Sequence, residues 1–143
     1  MMYDPPKYLT PALLTEVMTA FPWPAPYILR SDFDGIEIDL PHCHLYVTEG
    51  FESAMDLAFL PESTGLDDMV SIGDALQALQ SDPATELPPE PKLINFFGPE
   101  ASLEKVRNDL QDLFTLLFTY FGSSLRGDFG WTRTHFLQTA NTP

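Results

Sequence analysis

His42, Cys43 and His44 form the one cluster of metal-capable or nucleophilic side chains in this sequence, and Glu37 and Asp39 precede them closely. In an extended strand, alternation sends Cys43 to the face opposite the two histidines, so the three cannot share one ion. His42 and His44 can instead pair with Glu37 or Asp39 across a hairpin, a two-histidine, carboxylate set suited to a divalent metal. The competing reading is two surface histidines on a carboxylate-rich face. It is the stronger one here, because no third imidazole lies nearby and His135 is too far along the chain to place. No metal or other cofactor is therefore expected.

Other constellations are thinner. Asp32, Asp34 and Gly35 resemble the opening of a calcium loop, but the carboxylate that closes a twelve-residue EF-hand loop is missing, and Asp-x-Asp-Gly reads as a turn. No serine lies in a nucleophile elbow, and there is no glycine-rich phosphate loop. Arg126, Gly127 and Asp128 spell an adhesion-type tripeptide, yet their local reading is a turn at Gly127, with Asp128 capping the next segment. Phe129, Trp131, Phe136 and Leu137 would then return to the core. A non-catalytic protein is expected.

Charge carries the larger signal. Between Arg30 and Lys92 there is no lysine or arginine, while the interval holds fourteen carboxylates; the flanking segments cancel, so the net charge of -14 belongs to the middle of the chain. Such a field repels nucleic acid and anionic membranes and speeds encounter with a basic partner. At 44% hydrophobic and 13% aromatic residues the chain is too apolar for a disordered acidic tail, so the carboxylates are displayed on a scaffold. One domain, 1–143, is expected, with an acidic sheet region over 27–91 and a helical region over 99–138. No long apolar run and no signal-peptide pattern is seen, and Cys43 is the lone cysteine, which together predict a cytoplasmic protein.

The elements that must position these groups are legible from periodicity. Thr10 as N-cap and Pro11 announce a helix carrying Leu14, Val17, Met18 and Phe21, stopped by Pro22, Pro24 and Pro26. From Tyr27 the period becomes two: Tyr27 to Ser31, a turn through Asp32, Phe33, Asp34 and Gly35, then Ile36, Ile38 and Leu40 alternating with Glu37 and Asp39. A third strand runs from His42 to Thr48, with Cys43, Leu45 and Val47 inward and His42, His44 and Tyr46 outward. Glu49 and Gly50 make a turn, and a fourth strand spans Ser53 to Leu60. Ser71 to Asp74 matches a capping box before a short helix with Ala75, Leu76 and Leu79. An acidic proline-rich loop covers Asp82 to Pro91, and Lys92 to Phe97 is a candidate fifth strand. Pro99 to Phe121 is the strongest helix, with Leu103, Val106, Leu110, Leu113, Phe114, Leu117 and Phe121 on one face and Gly122 placed to end it. The fold class is α+β: a four- to five-stranded antiparallel meander packed against an N-terminal helix and a long C-terminal helix.

This layout, with the long helix running into Leu125, Arg126, Gly127, Asp128, Phe129, Gly130 and Trp131, resembles small acidic immunity proteins of bacterial polymorphic toxin systems, contact-dependent or type VI secreted. The resemblance implies a non-catalytic protein that binds one cognate toxin domain and blocks its active site or substrate path. Immunity proteins share no single motif, so it assigns no binding residue. The charge map supports the same class, since toxins acting on nucleic acid are basic where they hold phosphates. The expected partner is a basic toxin, most simply a nuclease. The expected contact surface is the solvent face of the meander and its loops: Asp32, Asp34, Glu37, Asp39, His44, Tyr46, Glu49, Glu52 and Asp56, flanked by Glu62, Asp67 and Asp68. Tyr46, Phe33, Phe51 and Trp23 are candidate anchors. Two alternatives remain: a nucleic-acid-mimicking or phage-borne inhibitor of a host defence protein, separable by gene neighbourhood, and a metal-dependent enzyme using His42 and His44.

Overall fold

The computed structural model of the chain describes residues 8–32, 34–49, 55–80 and 102–132. Helix α1 (Pro11–Met18) begins as its sequence dictates: Thr10 is extended, its hydroxyl accepts the Leu13 N–H at 3.1 Å, and Pro11 occupies a first-turn position where a missing N–H costs nothing. Leu13, Leu14, Val17 and Met18 are its buried stripe.

Five strands come next in sequence order, each antiparallel to its neighbour: β1 (Ile28–Ser31), β2 (Gly35–Asp39), β3 (His44–Glu49), β4 (Met55–Phe59) and β5 (Val70–Ser71). Because side chains alternate, the register creates one apolar row across the whole sheet, Leu29–Ile38–Leu45–Phe59–Val70, and a parallel one through Ile36, Val47 and Leu57. Gly35 is required where β2 starts: a Cβ there would lie 2.3 Å from the Val47 carbonyl oxygen, inside any tolerable contact. Cys43 sits fully buried beside these rows, and burial pushes its thiol up to about 12, which makes it a small core hydrophobe rather than a nucleophile.

The short helix α2 (Pro61–Thr64) comes after β4, and Gly65 ends it in the left-handed region at φ 77°. Helix α3 (Ile72–Gln80) continues directly from β5, with the Ser71 hydroxyl accepting the Asp74 N–H at 3.2 Å, the N-terminal half of the expected capping box. Helix α4 (Leu103–Tyr120) is capped by Ser102, whose hydroxyl accepts the Lys105 N–H at 3.1 Å, and it buries Val106, Leu110, Leu113, Phe114, Leu116 and Leu117. α4 and α3 both lie against β4, and α1 packs on α4, where Arg107 reaches Glu16 at 2.9 Å. The chain then makes a 3-10 turn (Ser124–Arg126), ends it at Gly127 with φ 104°, and enters the short helix α5 (Gly130–Thr132), whose Gly130 N–H is capped by Asp128 at 3.1 Å.

The α+β meander with an N-terminal and a long C-terminal helix is thus the architecture. Several boundaries differ from expectation. β3 starts at His44, because Pro41 and His42 form the two-residue loop closed by the Leu40 N–H on the Cys43 carbonyl at 2.8 Å. The fifth strand seen is Val70–Ser71, too short to show a period, whereas Lys92 to Phe97 lies outside the described residues, as do Phe33, Gly50, Phe51, Glu52, the loop from Asp82 to Pro91, His135, Phe136 and Leu137. α4 ends at Tyr120, one residue short of the expected Phe121, which instead caps the helix and turns edge-on to Phe59 with ring centroids 5.3 Å apart. Leu103 is 45% exposed rather than part of the buried face, since it occupies the first position of the helix, ahead of the sheet. No helix among the described residues is long and apolar enough to cross a membrane.

Candidate functional site: an acidic sheet face with a carboxylate and histidine cluster

The face of the sheet opposite the core carries Ile28 and Arg30 from β1, Glu37 and Asp39 from β2, His44, Tyr46 and Thr48 from β3, and Asp56 and Ala58 from β4. Its groups are ordered by register. Glu37 stands between Arg30 and Tyr46, and Asp39 between Ile28 and His44. None of the expected contact residues is an arginine or lysine, but the same face also carries Arg30, whose guanidinium Nε binds Asp39 Oδ2 at 2.8 Å. Counting back from the Asp32–Gly35 turn places Arg30 opposite Glu37, so the residue was within reach of the sequence.

At one end of the face the Asp32 carboxylate organises the β1–β2 turn. Its Oδ1 accepts the N–H groups of Asp34 at 2.9 Å and Gly35 at 3.0 Å, and the Tyr46 hydroxyl donates to the same oxygen. The Tyr46 bond, with help from the two amides, holds the Asp32 carboxyl below its usual range; desolvation and the Asp32 bond push the Tyr46 phenol up. Asp32 Oδ1 is thereby filled by protein donors, which settles Asp-x-Asp-Gly as a turn. Tyr46 is half-buried on this face.

At the other end, Glu37, Asp39 and His44 meet. His44 Nδ1 lies 2.7 Å from Asp39 Oδ1, and Glu37 hydrogen-bonds the same carboxylate. That bond, then partial desolvation and the Asp39 charge, pushes the Glu37 carboxyl up to about 7, as two adjacent carboxylates compete for one proton. Desolvation works to raise Asp39, but hydrogen bonds from Glu37 and His44 and the Arg30 charge prevail and hold it low. The His44 backbone is fixed by Ser63 of α2, which accepts the His44 N–H at 2.5 Å and donates to its carbonyl at 3.2 Å. His42 does not join the cluster. It is exposed in the β2–β3 loop, against the turn at Gly127.

Of the other expected contact residues, Asp34, Asp56, Glu62, Asp67 and Asp68 are exposed, Glu62 on α2 and the last two in the loop beyond it; Glu52 lies outside the described residues. Glu49 is a correction. It is the last residue of β3, shares the parity of Leu45 and Val47, and is buried, with its Oε1 accepting the N–H groups of Tyr8 and Leu9 at 2.8 Å each. It fastens the segment before α1 to the sheet and presents no charge to a partner. Truncating it leaves two N–H groups short of an acceptor, so Glu49→Ala should lower unfolding free energy by about 3 kcal/mol in urea titrations, with Glu49→Gln recovering part of it. Trp23 is likewise committed to packing, edge-on to Phe114 and Phe118 at 4.9 Å each.

Comparison with known protein families, with curated proteins and with solved structures finds no match to this chain.

Proposed function

We propose that this protein is an immunity-type inhibitor, which binds a cognate basic bacterial toxin, a nuclease, and occludes its active site or substrate path. The observation that carries the reading is the run of fourteen carboxylates between Arg30 and Lys92, together with an open sheet face on which Glu37, Asp39 and Asp56 stand around Tyr46. Such a surface competes with phosphates for the cations of a nucleic-acid-binding groove. Arg30 fits this role, because by holding Asp39 it keeps one carboxylate fixed in direction while leaving the balance of the face negative. Steering by charge sets the rate of encounter, and a few anchored contacts such as Tyr46 set the lifetime of the complex.

The test begins with capture of the partner on the immobilised full-length chain in extracts of the producing cell, and continues with kinetics on the purified partner. A basic toxin domain whose nuclease activity is lost on one-to-one mixing is the expected result. Because screening at physiological ionic strength confines exposed charges to about 8 Å, raising salt should slow association far more than it speeds dissociation. An on-rate flat between low and high salt, or a captured partner that remains fully active in the complex, would overturn the reading.

A further inference from the structure

We infer that Glu37, Asp39 and His44 form a binding site for a divalent ion of the zinc class on the open face of the sheet. One ligand atom from each residue lies within 4.8 Å of the others, and all three side chains are half-buried rather than fully solvated. Zinc bonds of about 2.0 to 2.2 Å place tetrahedral ligands about 3.4 Å apart, so the set closes on an ion by side-chain adjustment alone. The backbone supplies the rest. Glu37 and Asp39 are two apart on β2, His44 is the cross-strand partner of Asp39, and both strands are central in the sheet.

The neighbouring groups direct the ligand atoms. Arg30 occupies Asp39 Oδ2, which leaves Oδ1 turned toward His44 and Glu37, as an outer partner orients a ligating carboxylate. Ser63 clamps the backbone of His44. An imidazole nitrogen with two carboxylates suits zinc and its neighbours in the transition series; calcium, which wants six to eight oxygens, and magnesium, which prefers oxygen and water, are poorly served. Three protein ligands leave at least one coordination position open to solvent. Cys43, the stronger ligand by type, is fully buried in the core just before β3 and cannot contribute. This site stands on geometry alone and is independent of the inhibitor reading, so either can fail without the other.

The test is calorimetric titration of the metal-free full-length chain with zinc ions, with imidazole resonances monitored by NMR. One ion per chain should bind, with the His44 resonances moving and magnesium failing to compete. His44→Ala and Glu37→Gln should each weaken binding at least tenfold while keeping the thermal midpoint of the metal-free protein, and His42→Ala should bind as the parent does. Absence of saturable binding, or binding retained in His44→Ala and lost in His42→Ala, would overturn the assignment.

Discussion

Phe59→Ala is expected to remove about 4 kcal/mol of folding free energy, a large share of what a domain of this size possesses. Phe59 is fully buried and stands fourth in the five-residue apolar row, with Leu45 beside it on β3 and Val70 on β5. It is also where the sheet meets the C-terminal segment: the Phe121 ring lies 5.3 Å away and the Phe129 ring 5.7 Å away, both edge-on. Truncation removes the transfer energy of the ring, opens a cavity under α4, and abolishes two aromatic pairs worth about 0.5 to 1.5 kcal/mol each beyond their area. The measurement is the denaturant midpoint at constant slope. Phe59→Leu, which fills most of the volume, should recover at least half of the loss, and a loss below about 1 kcal/mol for the alanine variant would mean that β4 is not the hub of the core.

What made Phe59 legible was alternation. Met55, Leu57 and Phe59 declare one face of a strand, and the same rule assigned Ile36, Ile38, Leu45 and Val47 correctly. Its failures are informative. Glu49 continues the alternation into the core, but a carboxylate at the end of a strand reads as a turn residue unless its hydrogen-bond donors are known, and those are the backbone N–H groups of Tyr8 and Leu9, forty residues away. β5 has two residues and no period to read; it exists because β4 offers an edge and α3 begins beside it. The parity of the two histidines held, with His42 exposed and His44 half-buried on either side of buried Cys43, but Pro41 and His42 are spent on a loop and only His44 enters the strand. The clustering of His44 with Asp39 and Glu37 was partly visible, because a hairpin brings β2 and β3 together, but the bonds from Ser63 to the His44 backbone depend on α2, which is set by the end of β4 and not by any motif.

The largest functional effect should come from reversing the two carboxylates of β2. In the double variant Glu37→Lys and Asp39→Lys, inhibition of the partner should be lost, because each reversed position that faces a partner cation costs about 2 to 5 kcal/mol and adds repulsion to the lost attraction. The fold should survive. Both side chains are on the open face, and the Arg30–Asp39 pair they disrupt is two-thirds exposed on the arginine side, where such pairs contribute about 1 kcal/mol or less. Asp56→Lys, at the margin of the same face, should act mainly on the association rate. The controls lie on α4: Glu104→Lys weakens a favourable charge in the first turn by about 0.5 kcal/mol, and Asp112→Lys relieves a carboxyl that burial and neighbouring Asp109 already push up, so neither should alter inhibition. All variants are compared with a chelator present, which separates this effect from any ion held by Glu37, Asp39 and His44, and with circular dichroism to confirm the fold. Protection of cells carrying the partner toxin, together with inhibition in vitro, gives the decision. If Glu104→Lys and Asp112→Lys abolish inhibition while the β2 double variant retains it, the contact belongs to the C-terminal helix, and the acidic face serves some purpose other than capturing the partner.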